Sequence, residues 1–80
     1  MGKYKIIRLI DVFNIKTEEL INEIPLELFD LELMKIRFGV PNDDPIMYYQ
    51  YEIDNLKKDL FPQMHFDFKE NIYILASYKE

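Results

Sequence analysis

Tyr4 to Phe13 reads YKIIRLIDVF, with Tyr4, Ile6, Arg8, Ile10 and Val12 on one parity and Lys5, Ile7, Leu9, Asp11 and Phe13 on the other. A period of two predicts a strand, and both of its faces are partly apolar. Asn14 to Lys16 supply turn chemistry, and Glu19 to Leu26 reads as the returning arm of a hairpin with Leu20, Ile24 and Leu26 on one side. A short helix capped by Thr17 is the rival, because Leu20, Ile21 and Ile24 also fit helical spacing and Glu18 and Glu19 suit a first turn. The strand is preferred.

Asp30 is an N-cap residue followed by Leu31, Met34 and Phe38 at helical spacing, with Gly39 placed to terminate and Pro41 beyond it. This predicts a helix, and Asn42-Asp43-Asp44-Pro45 then predicts a loop. Ile46 to Ile53 is expected as a third strand, with Met47, Tyr49 and Tyr51 on one face and Tyr48, Gln50 and Glu52 on the other. Asp54 caps a short second helix carrying Leu56 and Leu60, which Pro62 stops. Phe66, Phe68 and Ile72 to Tyr78 form a final strand region, with Ile72, Ile74 and Ala76 facing one way and Tyr73, Leu75 and Ser77 the other. The expected architecture is α+β: a small, mostly antiparallel sheet of about four strands with two short helices, in the order β-β-α-β-α-β.

Eighty residues without a Pro/Gly/Ser-rich break make one domain, 1-80, and a 49% apolar composition with six Phe and six Tyr is enough for a core. A chain this short buries only about 60% of its unfolded surface, and without cysteine no disulfide adds to its stability. Neither a signal segment nor a long apolar run is present, so the expectation is a cytoplasmic protein with no membrane partner.

Chemistry is sparse. Thr17 and Ser77 are the hydroxyl nucleophile candidates besides tyrosine, and His65, near Asp67 and Glu70, is the one histidine. Lone histidines entering strands are mostly structural, so the chain is not read as an enzyme. Neither metal-ligand spacing nor a glycine-rich phosphate loop occurs, and no cofactor is expected. A formal charge of −5 repels nucleic acid and suits a cationic protein, though it also serves simple solubility. Tyr48, Tyr49 and Tyr51 stand among Asp43, Asp44, Glu52 and Asp54. Tyrosines among carboxylates suit a protein interface with a basic partner. The competing reading makes the tyrosines core and the aspartates turn and cap residues.

The strings F-N-x-x-T-x-E-L-I-x-E-I, from Phe13 to Ile24, and F-G-V-P-N-D-D-P-I-M-Y-x-x-Y, from Phe38 to Tyr51, resemble small acidic bacterial immunity proteins of polymorphic and contact-dependent growth-inhibition toxin systems. The resemblance covers most of the chain. It implies a sheet with two helices that binds a toxin domain made by the same cell, a basic protein such as a nuclease. Strand addition at an exposed edge such as Ile72 to Tyr78 is one mode this allows. The alternative is a structural module whose aromatic surplus is buried in a homodimer.

Overall fold

The computed structural model describes residues 5–80. Two helical elements and four strands form: β1 (Ile6–Asn14), β2 (Leu20–Pro25), α1 (Leu31–Phe38), β3 (Tyr51–Ile53), the 3-10 helix η1 (Asn55–Leu60) and β4 (Asn71–Lys79). The sheet is antiparallel throughout, in the order β2-β1-β4-β3. This is the expected α+β architecture and element order, with Tyr4 of the expected first strand outside the described residues.

The hairpin turn between β1 and β2 is organised by Asn14, whose Oδ1 accepts from the amides of Lys16 and Thr17 at 2.9 and 3.0 Å. Glu18 takes a positive φ of 62° there. Residues 20 to 25 are strand, and the capped-helix rival falls. One correction follows from a register shift at Val12/Phe13: Ile24 faces the core opposite Ile10, whereas Leu20 pairs with Phe13 and is exposed. A bulge moves the residues beyond it to the other face, so Leu20 and Ile24 do not share a side.

Helix α1 begins where Asp30 Oδ1 accepts from the Leu33 amide at 3.1 Å and ends at Gly39, φ 62° and ψ 47°, with the Val40 amide bonded to the Lys35 carbonyl. Leu31, Met34 and Phe38 turn inward; Leu33 and Ile36 remain exposed.

The third strand is shorter than expected. Only Tyr51, Glu52 and Ile53 pair with β4; residues 46 to 50 form a loop in which Met47 takes φ 55° and buries its side chain. Phe66 and Phe68 likewise precede β4 in a loop, stacked at 5.2 Å and edge-on to Tyr73. Strand β4 is also no edge: β1 pairs along its whole length and β3 pairs at Tyr73 to Leu75, leaving β2 and β3 as the outer strands. The suggested strand-addition edge at Ile72 to Tyr78 is corrected accordingly.

One face of the sheet carries the core. Ile10, Val12, Ile53, Tyr73 and Leu75 pack with Met34, Met47 and Phe61, ringed by residues such as Leu26, Phe29, Val40 and Met64. Arg8 closes this layer at one end, donating to the carbonyls of Met47 (2.6 Å) and Ile46 (2.9 Å) and to Ser77 Oγ (2.8 Å), with its guanidinium over Phe29. Leu31, Met34 and Phe38 of α1, Leu60 of η1 and the loop residues Val40, Phe66 and Phe68 pack on this side.

Candidate protein-binding face

The tyrosine-rich segment folds around one carboxylate. Asp44, 2% exposed, accepts from the Tyr48 and Tyr49 amides at 2.7 and 2.9 Å and from the Tyr51 hydroxyl at 2.6 Å. Burial pushes its pKa up, but these three hydrogen bonds and the Arg8 charge outweigh burial and leave it below the ordinary value. Burial, with Asp44 beside it, holds the Tyr51 phenol far above its usual range. Tyr51 packs against the core, edge-on to Phe38, and Tyr48 is half-buried with Lys79 over its ring.

Of the other residues singled out there, Asp54 caps η1 through the Leu56 amide at 3.0 Å and pairs with Lys57 at 3.2 Å. Asp43 and Tyr49 are exposed and meet each other at 3.5 Å, where the Asp43 charge raises the phenol's pKa. Glu52 is exposed on the opposite face of the sheet. The structure thus brings Asp43, Asp44, Tyr48 and Tyr49 into one loop, to which Tyr51 at the start of β3 bonds through Asp44, and separates Glu52 and Asp54 from it. His65 is exposed, and the Asp67 carboxylate accepts from the Lys69 and Glu70 amides.

A larger surface lies on the sheet's second face. Register places Ile7 beside Tyr78, Leu9 between Pro25 and Ala76, Asp11 between Glu23 and Ile74, and Phe13 between Leu20 and Ile72. Side chains in register share a face. None of Ile7, Leu9, Phe13, Ile72 or Ile74 belongs to the core cluster, although Asp11 and Ala76 between them are buried. Leu20, Ile72 and Tyr78 are 47%, 38% and 39% exposed. Strand spacings of about 4.8 Å and rises of about 3.4 Å per residue give the face a projected area of roughly 400 Å². That is about half of what each partner contributes to a standard protein interface, about 800 Å².

At the middle of this face is Asp11, 4% exposed. Its Oδ2 accepts from the Tyr78 hydroxyl at 2.8 Å, and its Oδ1 is buried with no hydrogen-bond partner. The bond to Asp11, and then burial, push the Tyr78 phenol up to about 12, with a smaller contribution from Glu23. A half-paired buried carboxylate is costly, and such groups in native proteins call for an explanation. Sequence reading placed Asp11 on the correct strand but gave it no role. The available signal was a lone acid inside the apolar alternation of Leu9, Asp11 and Phe13.

No curated protein and no solved structure matches the chain. Residues 7–76 match the family model described as a domain of unknown function, DUF7683, and the chain therefore belongs to that family.

Proposed function

We propose that this chain is a cytoplasmic immunity protein, a binding module that neutralises a basic cognate toxin by stoichiometric association through its second sheet face. The observation that carries the reading is that face: apolar rows outside the core cluster, with Leu20, Ile72 and Tyr78 exposed, flanking the acids Glu23 and Glu52. A face of this size is in the range of the largest patch on an ordinary monomer, which is often the functional one. The net charge of −5 and the acids Glu23 and Glu52 on the same face favour a cationic partner and steer its approach. A nuclease, which needs a basic site to hold phosphates, fits that description.

Co-expression with the product of the adjacent gene tests the proposal. The expected result is a one-to-one complex by size exclusion with light scattering, together with restored growth of cells carrying that product. A concentration-dependent homodimer, with neither complex nor rescue, would overturn it in favour of a self-associating module.

A further inference from the structure

Between the outer strand β2 and the loop that follows η1 lies a cavity of about 500 Å³, on the core side of the sheet. Its floor is the core itself: Val12 and Tyr73, paired across β1 and β4, with Ile24 and Met64 beside them. The loop that walls it is tied down on both sides of His65. The Met64 amide donates to the Phe61 carbonyl at 2.9 Å and the Asp67 amide to the Tyr73 hydroxyl at 2.8 Å. The cavity is therefore preformed, and its volume falls within the range of roughly 300–1,000 Å³ usual for small-molecule sites.

The polar side chains around it are three amides and an imidazole: Asn22 on β2, Gln63 and His65 on the loop, and Asn71 at the start of β4. No lysine, arginine, aspartate or glutamate lines it. Each asparagine is half committed. Asn22 Oδ1 accepts from the Glu23 amide at 2.9 Å, which leaves its NH2 group, and Asn71 Nδ2 donates to the Tyr73 hydroxyl at 3.3 Å, which leaves its Oδ1. Neither end of the Gln63 amide has a hydrogen-bond partner among the described residues, and Gln63 is exposed. Register sets Asn22 and Tyr73 on either side of Val12, about 10 Å apart across two strand spacings.

We propose that this cavity binds an uncharged purine of adenine type, as free base or nucleoside, with its ring over Val12 against Met64 and its donor–acceptor edge on the Gln63 amide. Three features select this occupant. A side-chain amide with both ends free makes two-point pairing with N6 and N7 of adenine. An apolar floor suits the flat face of a ring, and a methionine thioether makes favourable contacts with aromatic rings. The lining has no cation and the chain carries a charge of −5, which disfavours phosphate-bearing nucleotides and nucleic acid; the lack of a lining carboxylate equally disfavours an amine. The site lies on the other side of the sheet from the proposed docking face and does not rest on the toxin reading.

Amide-resolved NMR of the intact chain with adenosine as the probe tests the site. Saturable shifts are expected for the side-chain NH2 signals of Asn22 and Gln63 and for the backbone amides of Met64, His65 and Asn71. Purine riboside, which lacks the 6-amino group, should bind about fivefold more weakly, the scale of one hydrogen bond, and Gln63→Leu should weaken adenosine by a similar factor. Adenosine monophosphate should bind at least about threefold more weakly than adenosine at low salt. Gln63 is an exposed loop residue, so its variant keeps the fold. Absence of saturable shifts around the cavity overturns the proposal. Equal affinity for adenosine and purine riboside, unchanged adenosine binding by Gln63→Leu, or tighter binding of the monophosphate also overturns it.

Discussion

Replacing Asp11 by valine should stabilise the isolated protein. The wild-type side chain buries a carboxylate with Oδ1 unpaired, and an unsatisfied buried acceptor costs about 1–3 kcal/mol. Valine, branched at Cβ instead of Cγ, fills a similar volume and is better suited to a strand, on a propensity scale that spans about 1 kcal/mol. Against these gains stands the lost hydrogen bond from Tyr78, whose hydroxyl turns to water because the residue is 39% exposed, a loss of about 1 kcal/mol. The balance is a gain of about 1–2 kcal/mol. For 80 residues at about 2.1 cal/mol/K each, the unfolding entropy is about 170 cal/mol/K, so Tm should rise by roughly 6–12 °C. Thermal unfolding followed by circular dichroism reads this directly, and urea denaturation gives the free energy. Tyr78→Phe should act in the opposite sense in the wild-type background, because it leaves both Asp11 oxygens unpaired, and should be neutral in the Asp11→Val background. A lower Tm for Asp11→Val would refute the reasoning: the carboxylate would then be a net contributor to the fold.

Asp44→Ala should destabilise the chain by about 2–4 kcal/mol in urea denaturation, since it strands the Tyr48 and Tyr49 amides and the Tyr51 hydroxyl in a buried loop. The same carboxylate sets an acid limit: its pKa is depressed in the fold, so its contribution is present above the unfolded value of about 4 and is lost as pH falls through the lower folded value, which a pH series of melting curves measures. Tyr78 sets an alkaline one: with its folded pKa pushed up to about 12, its contribution is full below the unfolded value near 10 and fades as pH rises toward 12, a dependence that Asp11→Val should flatten. Gly39→Ala should cost about 1 kcal/mol by urea denaturation from backbone strain alone, because φ is 62° and a Cβ there meets no atom within 4 Å.

Alternation and capping made much of this fold legible. Asp30 and Gly39 bound α1 as expected, Asp54 caps η1, and the opposed parities of Ile72-Ile74-Ala76 and Tyr73-Leu75-Ser77 are those observed. What alternation could not decide was which parity is covered, because β1 is apolar on both: Ile10 and Val12 lie under the helices, whereas Leu9 and Phe13 do not. That choice depends on where α1 and the loops cross, which local sequence does not encode. The acids of the second face were equally invisible, since Asp11, Glu23 and Glu52 are neighbours only through register between strands distant in sequence. The tyrosine segment misled for a local reason. Its β-favouring side chains read as a long strand, but Asp44 gathers the amides of Tyr48 and Tyr49 into a loop, and a side chain that satisfies backbone donors competes with the ladder that would use them.

A partly exposed apolar face on a four-stranded sheet invites aggregation unless something restrains it, and the restraints here also bear on partner choice. The outer strand β2 is six residues long, ends in Pro25 and is offset by the register shift at Val12/Phe13, while β3 on the other edge has only three residues. Short, bulged and proline-bearing edges resist strand-to-strand association. The face itself carries Glu23, Asp11 and Glu52 across its middle, so two copies meeting there would bury acid against acid. A basic partner reverses the sign of that term without any change in the apolar area covered. Binding would also return stability to a small core, by about 2.7 kcal/mol at a partner concentration one hundred times Kd. The exposed acids Glu23 and Glu52, at the two margins of the face, are therefore the groups expected to discriminate most strongly between a second copy and a cationic target.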